Sequence, residues 1–165
     1  VSLPALVSDN TRIMVPKVEL DWWRQPGFPL GAPEGQGRSR PVVAELFDRF
    51  AERLEPVAPE VEPLPGLRQL PLPGHTPGHT GFRIGDDALW ILGDIVHNAT
   101  LQCAEPGWGY VADVDGAKAE RTRRDAFARA ADGEIHVAGM HFPGSAFGRI
   151  RRAGDAFALE TQGAK

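Results

Sequence analysis

Between Pro73 and Thr80 the chain reads Pro-Gly-His-Thr-Pro-Gly-His-Thr, and no regular element can run through that string. Pro77 lacks the backbone donor that a helix needs and Gly78 favours positive φ, so Pro77-Gly78 reads as a tight turn. The i, i+4 spacing of His75 and His79 would set two metal ligands on one helical face, but the helix itself is excluded. Both imidazoles therefore ride on a rigid loop at the end of a strand, and they need not share a task. All five histidines of this 165-residue chain lie between positions 75 and 141. That asymmetry marks one stretch of the sequence as the place of a site.

The flanking sequence predicts a single domain over residues 1–165, of mixed α/β (α+β) class. Thr11–Val15 reads as a strand and Lys17–Arg24 as a short helix carrying Trp22 and Trp23. Residues 25–39 are dominated by Gly and Pro and predict a surface loop. Val43, Leu46, Phe47, Phe50 and Leu54 follow helical spacing, which predicts a helix from Pro41, placed in its first turn, to Leu54. The prolines of residues 55–66 predict an extended connector. An extended run follows over Leu67–Leu72, then a hairpin of Phe82–Ile84 with Ala88–Leu92 about Gly85-Asp86-Asp87. Asp115–Ala131 is an amphipathic helix ended by Gly133, Glu134–Ala138 a strand, and Gly148–Leu159 a closing hairpin about Gly154-Asp155.

Two further polar residues stand just beyond apolar strands. Asp94 follows Ala88–Leu92 and one glycine, and His141 follows Ile135–Ala138 and Gly139-Met140. With the histidine loop, three strands deliver ligand-type side chains at their C-terminal ends, the edge where sheet-based sites gather. Imidazole and carboxylate suit Zn²⁺, and equally Fe or Mn, and a carboxylate can bridge two cations about 3.5 to 4 Å apart. Three ligands cannot fill two such coordination spheres.

Other chemistries are disfavoured. A net charge of −4 and a pI near 5.7 argue against a nucleic-acid partner. Cys103 is the sole cysteine, which excludes an intrachain disulfide and predicts a small buried residue. No apolar run is long enough to span a bilayer. The opening VSLPALVSDN has no basic n-region or sustained apolar stretch, so it reads as a cut end rather than a signal peptide, and the expected location is the cytoplasm. Ser145 lacks the G-x-S-x-G context of a nucleophile. Arg121, Arg123 and Arg124, among acidic neighbours, read as a solvated face.

The segments Gly74-His75-Thr76-Pro77-Gly78-His79-Thr80, Leu92-Gly93-Asp94 and Gly139-Met140-His141-Phe142-Pro143-Gly144 resemble, in order and spacing, the later metal motifs of the metallo-β-lactamase superfamily. The likeness runs from about Thr11 to Phe157 and is nearest the lactonase-like hydrolases. It implies the C-terminal half of an αββα sandwich, with His79 a ligand of the first metal, Asp94 bridging, and His141 a ligand of the second. His75 and His97 are then outer-shell or substrate-side residues. The resemblance further implies a small-molecule substrate, two zinc ions (or iron or manganese) in the intact protein, and hydrolysis of an ester, lactone, thioester or amide by a hydroxide that the metals hold. The superfamily's HxHxDH motif is absent from this chain. The expectation is thus a truncated, inactive form with partial or no metal, or two copies packed face to face over the exposed half-sandwich. The alternative is a non-catalytic half-domain or dimerisation module that keeps a partial metal site.

Overall fold

The structure, a computed structural model, describes residues 10–26, 33–144 and 147–161. Ser145 lies outside them. Strand β1 (Ile13–Pro16) runs directly into helix α1 (Lys17–Trp23), because Pro16 supplies the extended φ/ψ of a cap. Helix α2 (Glu34–Arg49) follows, then strand β2 (Leu54–Val57). The latter pairs in parallel with β1, Ile13 opposite Leu54 and Pro16 opposite Val57. Leu20, Trp22, Trp23 and Phe47 form the core of this smaller layer.

Two expectations are corrected here. The helix expected at 41–54 starts at Glu34 and ends at Arg49, so Pro41 lies inside it and residues 34–39 of the loop expected over 25–39 are helical, while residues 27–32 of that loop lie outside the described residues. Tertiary docking overrides the weak local propensity. Gly35 lies where a Cβ would stand 2.9 Å from Ala112 Cβ, and buried Gln36 donates to Ala112 O at 3.0 Å. The connector expected over 55–66 begins as strand β2, and Pro56 is tolerated because a two-stranded ribbon has only edges.

The main sheet holds six strands in the order β3 (Leu67–Pro71), β4 (Thr80–Ile84), β5 (Leu89–Ile91), β6 (His136–Ala138), β7 (Phe147–Ala153) and β8 (Ala156–Thr161). Its neighbours are antiparallel except β5 and β6, whose parallel pairing requires a crossover. Helices α3 (Ala99–Ala104) and α4 (Gly116–Asp132) lie within that crossover. The Asp115 side chain caps α4 by accepting from Lys118 N at 2.9 Å, and Gly133 ends it. Both predicted hairpins form, β4–β5 and β7–β8.

Ala126, Phe127 and Ala130 of α4, with Ala99 and Cys103 of α3, pack against Trp90, Val137, Ile150 and Phe157 on one face of the sheet. Residues of the other parity, Phe82, Ile91, Ala138 and Phe147, are aligned in register across four strands and are half-buried. The sheet is therefore apolar on both faces, the pattern of a layer meant to sit between two others. Among the described residues no helix is long and apolar enough to cross a membrane.

Candidate metal centre

The loop between β3 and β4 is clamped from three sides. Val114 N and Asp115 N donate to His75 O and Gly74 O, both at 3.0 Å, and Thr122 Oγ1 donates to Pro73 O at 2.7 Å. Gly74, at φ +138°, lies against Ala119, where a Cβ would strike the helix backbone. Gly78 donates its N–H to Glu19 Oε2 at 2.9 Å. Its need for glycine comes from close approach to Glu19 and not from the positive φ expected of it.

The two histidines of the loop have opposite surroundings. His79 Nδ1 donates to Leu72 O at 2.8 Å, and its Nε2 accepts the Asp94 N–H at 2.9 Å. These partners fix the neutral tautomer and leave no lone pair for a metal. Burial, only partly offset by the bond to Leu72, pushes its pKa down. Gly93, at φ +58°, makes the contact possible, since a Cβ there would stand 2.8 Å from His79 Nε2. His75 points the other way. Its Nδ1 is 3.0 Å from Asp113 Oδ1, and its Nε2 stands 3.9 Å from Asp94 Oδ2. The expected division of labour is thus reversed in the geometry: His79 braces the backbone of Asp94, and His75 faces its carboxylate.

Asp94 sits in a 3₁₀ turn, Gly93–Ile95, directly after β5. Its Oδ1 is buried and, among the described residues, has no aligned hydrogen-bond partner, although His141 Nε2 is 3.2 Å away. The ring of His97 stacks between Tyr110 (centroids 3.7 Å apart, planes at 17°) and His141 (4.9 Å, 21°). Burial, reinforced by the charge of His75, lowers the His97 pKa to about 4, so it is neutral near pH 7. One ligand atom each from His75, Asp94 and His97 lie within 4.8 Å of one another. Imidazoles around a buried carboxylate oxygen that lacks a proton donor form a donor set that fits a divalent cation.

Neither the protein-family models nor the curated proteins match this sequence. Solved structures do. AidC, a dizinc quorum-quenching lactonase, superposes with a TM-score of 0.82 at 19% identity over 95% of this chain and 56% of its own. The hydrolase AbOPH of the beta lactamase superfamily gives 0.79 at 23% identity over 95% and 57%. An N-acyl homoserine lactone hydrolase gives 0.57 at 18% identity over 81% and 48%. The fold of this chain corresponds to half of the metallo-β-lactamase fold. The chain spans little more than half the length of AidC or AbOPH.

Around this site, the supports of His75 are residues that sequence reasoning missed. Burial resists ionisation of Asp113, but the bonds from His75 and from Tyr110 N–H, together with the charge of Arg123, outweigh it and hold its pKa below the usual carboxylate value. Arg123 was expected on a solvated face. It is instead fully buried, donating to Ile95 O at 2.7 Å and Pro106 O at 2.6 Å, with Nη2 3.7 Å from Asp113 Oδ2. The signal was available: Arg123 lies four residues from both Ala119 and Phe127, on the apolar face of α4. Gln36 carried no such signal. Its Nε2, oriented by the bond to Ala112 O, also lies 3.3 Å from His75 Nε2. A groove of about 600 Å³ lined by Pro16, Val18, Val57, Pro77 and His79 does not include His75, Asp94 or His97, and so belongs to the packing side of the loop.

Proposed function

We propose that this chain supplies one group of ligands to the centre of a metal-dependent hydrolase, with His75, Asp94 and His141 as the ligands and His79 as the brace of Asp94. The observation that carries the reading is the buried Asp94 Oδ1, with the His141 nitrogen at 3.2 Å and His75 Nε2 beside the other carboxylate oxygen. A bound zinc, iron or manganese ion would supply a Lewis acid for a carbonyl oxygen and would acidify water near neutral pH. The chain's own contribution is orientation. Asp113 accepts from His75 Nδ1, which orients the ring with Nε2 toward Asp94, and the charge of Arg123 beside Asp113 favours its ionised form. Likeness to lactonases supports a small substrate with an ester- or lactone-type carbonyl.

Three ligands do not complete two coordination spheres, so full turnover needs donors beyond this set. We propose that they arrive on a second layer seated on the Phe82–Ile91–Ala138–Phe147 row, and that this chain without such a layer binds metal but does not hydrolyse lactones. That layer is the rest of a sandwich or a second copy of the chain, and mass measurement by light scattering separates the two. The reading of the ligands is tested by metal content after dialysis. Wild type and His79→Ala are expected to retain zinc and His75→Ala to lose it. Retention by His75→Ala together with loss by His79→Ala would overturn the assignment.

A further inference from the structure

Helix α2 is built in two unlike parts. Its body is anchored, with Val43 and Phe47 packed into the layer of Leu20, Trp22 and Trp23. The first two turns, residues 34–40, have no such anchor. They contain Gly35, Gly37 and Ser39, which are poor helix formers, and Pro33 before them offers no side-chain cap. Pro41 then cuts these turns off from the body, because it has no N–H to give to Gly37 O four residues back. Of residues 35–40 only Gln36 is buried. A weak helix end with one buried side chain has low local stability and keeps its place only if something outside it holds it down.

What holds it down is the site itself. Gln36 Nε2 donates to Ala112 O at 3.0 Å and lies 3.3 Å from His75 Nε2, and Gly35 presses against the same Ala112. Ala112 is the neighbour in sequence of Asp113, on which His75 Nδ1 is anchored. Away from the site, Arg40 adds an exposed bond to Gln25 O at 2.8 Å. We propose that residues 34–40 form a latch that pivots at Pro41 and governs access to His75 Nε2. Closed, as in this structure, Gln36 stands in the approach to that nitrogen and His75 is only 9% exposed. Open, the approach is free while the body of α2 stays docked. One neutral hydrogen bond shifts an equilibrium by about 2- to 12-fold, so a latch held chiefly by Gln36 opens readily. This inference rests on the reading of His75 as a ligand and adds a gate to it. Whatever comes to His75 Nε2 competes with Gln36 for the same place, so occupancy of the site and opening of the latch favour one another.

The test reads the latch without any ion. Carbethoxylation of His75 by diethyl pyrocarbonate is followed by peptide mass spectrometry on the metal-free 165-residue chain, with amide hydrogen exchange measured alongside. Gly35→Ala is the decisive variant, because it does not touch His75. It improves the helix locally, yet its new Cβ would stand 2.9 Å from Ala112 Cβ and must push the latch off its seat. His75 is expected to react at least about 5-fold faster in that variant, with exchange in α4 and β4 unchanged. Pro41→Ala is expected to slow the reaction about 2-fold or more, since the regained N–H ties Gly37 O to the body of the helix. If Gly35→Ala leaves the rate unchanged, or raises it only together with exchange throughout α1 and the body of α2, residues 34–40 are a fixed wall and the latch falls. Zinc uptake by the same chain, measured separately, keeps the two readings apart. A latch response in a wild-type chain that takes up no zinc supports the latch and overturns the ligand reading. No latch response, with zinc lost on His75→Ala, overturns the latch and leaves the ligands standing.

Discussion

His75 and His79 share one loop, one tetrapeptide context and one residue type, yet the floor of the loop and its mouth treat them differently. At the floor, both His79 nitrogens are consumed by backbone groups, Leu72 O and Asp94 N–H. At the mouth, His75 has one nitrogen anchored on a buried carboxylate and the other turned toward Asp94. An imidazole becomes a ligand by having a lone pair that the fold leaves unclaimed, and a repeated sequence motif cannot say which copy meets that condition. The difference is a matter of whose hydrogen bonds are completed by protein.

Perturbing the supports of each histidine should separate stability from metal affinity. The largest effect is expected at Arg123, whose removal leaves Ile95 O and Pro106 O without their buried donor and takes away the positive charge beside Asp113. Arg123→Met should cost about 3–5 kcal/mol in urea unfolding, and an unchanged midpoint would mean that His75 and the Tyr110 N–H suffice for Asp113. Next comes His79→Ala, which orphans Leu72 O and Asp94 N–H. It should lower stability by about 2–3 kcal/mol while leaving zinc affinity within a few-fold, and the opposite partition would break the comparison outright. Asp113→Asn should keep the fold yet weaken zinc binding about 10- to 100-fold, because Nδ1 of His75 loses its charged acceptor. The smallest effect is expected from Gln36→Ala, which frees His75 Nε2 of a weak donor worth about 0.5–1.5 kcal/mol. Zinc should bind a few-fold more tightly to that variant, and weaker binding would show that Gln36 helps to hold the ion's surroundings together.

The fold was legible wherever its signals are local. Gly85-Asp86-Asp87 and Gly154-Asp155 announced their hairpins, and the Asp115 cap with Gly133 bounded α4 within a residue of its observed limits. Helix α2 was not, because what holds its first turn is Ala112, far along the chain, and a rule that puts Pro41 at a helix start has no access to that contact. The extended start of the expected 55–66 connector was read correctly as backbone but not as a strand, since strand identity is conferred by β1.

For the site the boundary is sharper still. The sequence by itself determined that Pro73–Thr80 is a rigid loop, that Asp94 and His141 stand just past buried strands, and that these side chains suit a divalent metal. It does so because turns, caps and strand ends depend on residues a few places apart. Only the tertiary structure decided that His75 and not His79 faces Asp94, that His97 joins them, and that Asp113 and Arg123 stand behind. Those outcomes depend on where hydrogen-bond partners from positions 36, 72, 94, 113 and 123 meet in space, and spacing along one segment of chain contains no information about groups brought together from five.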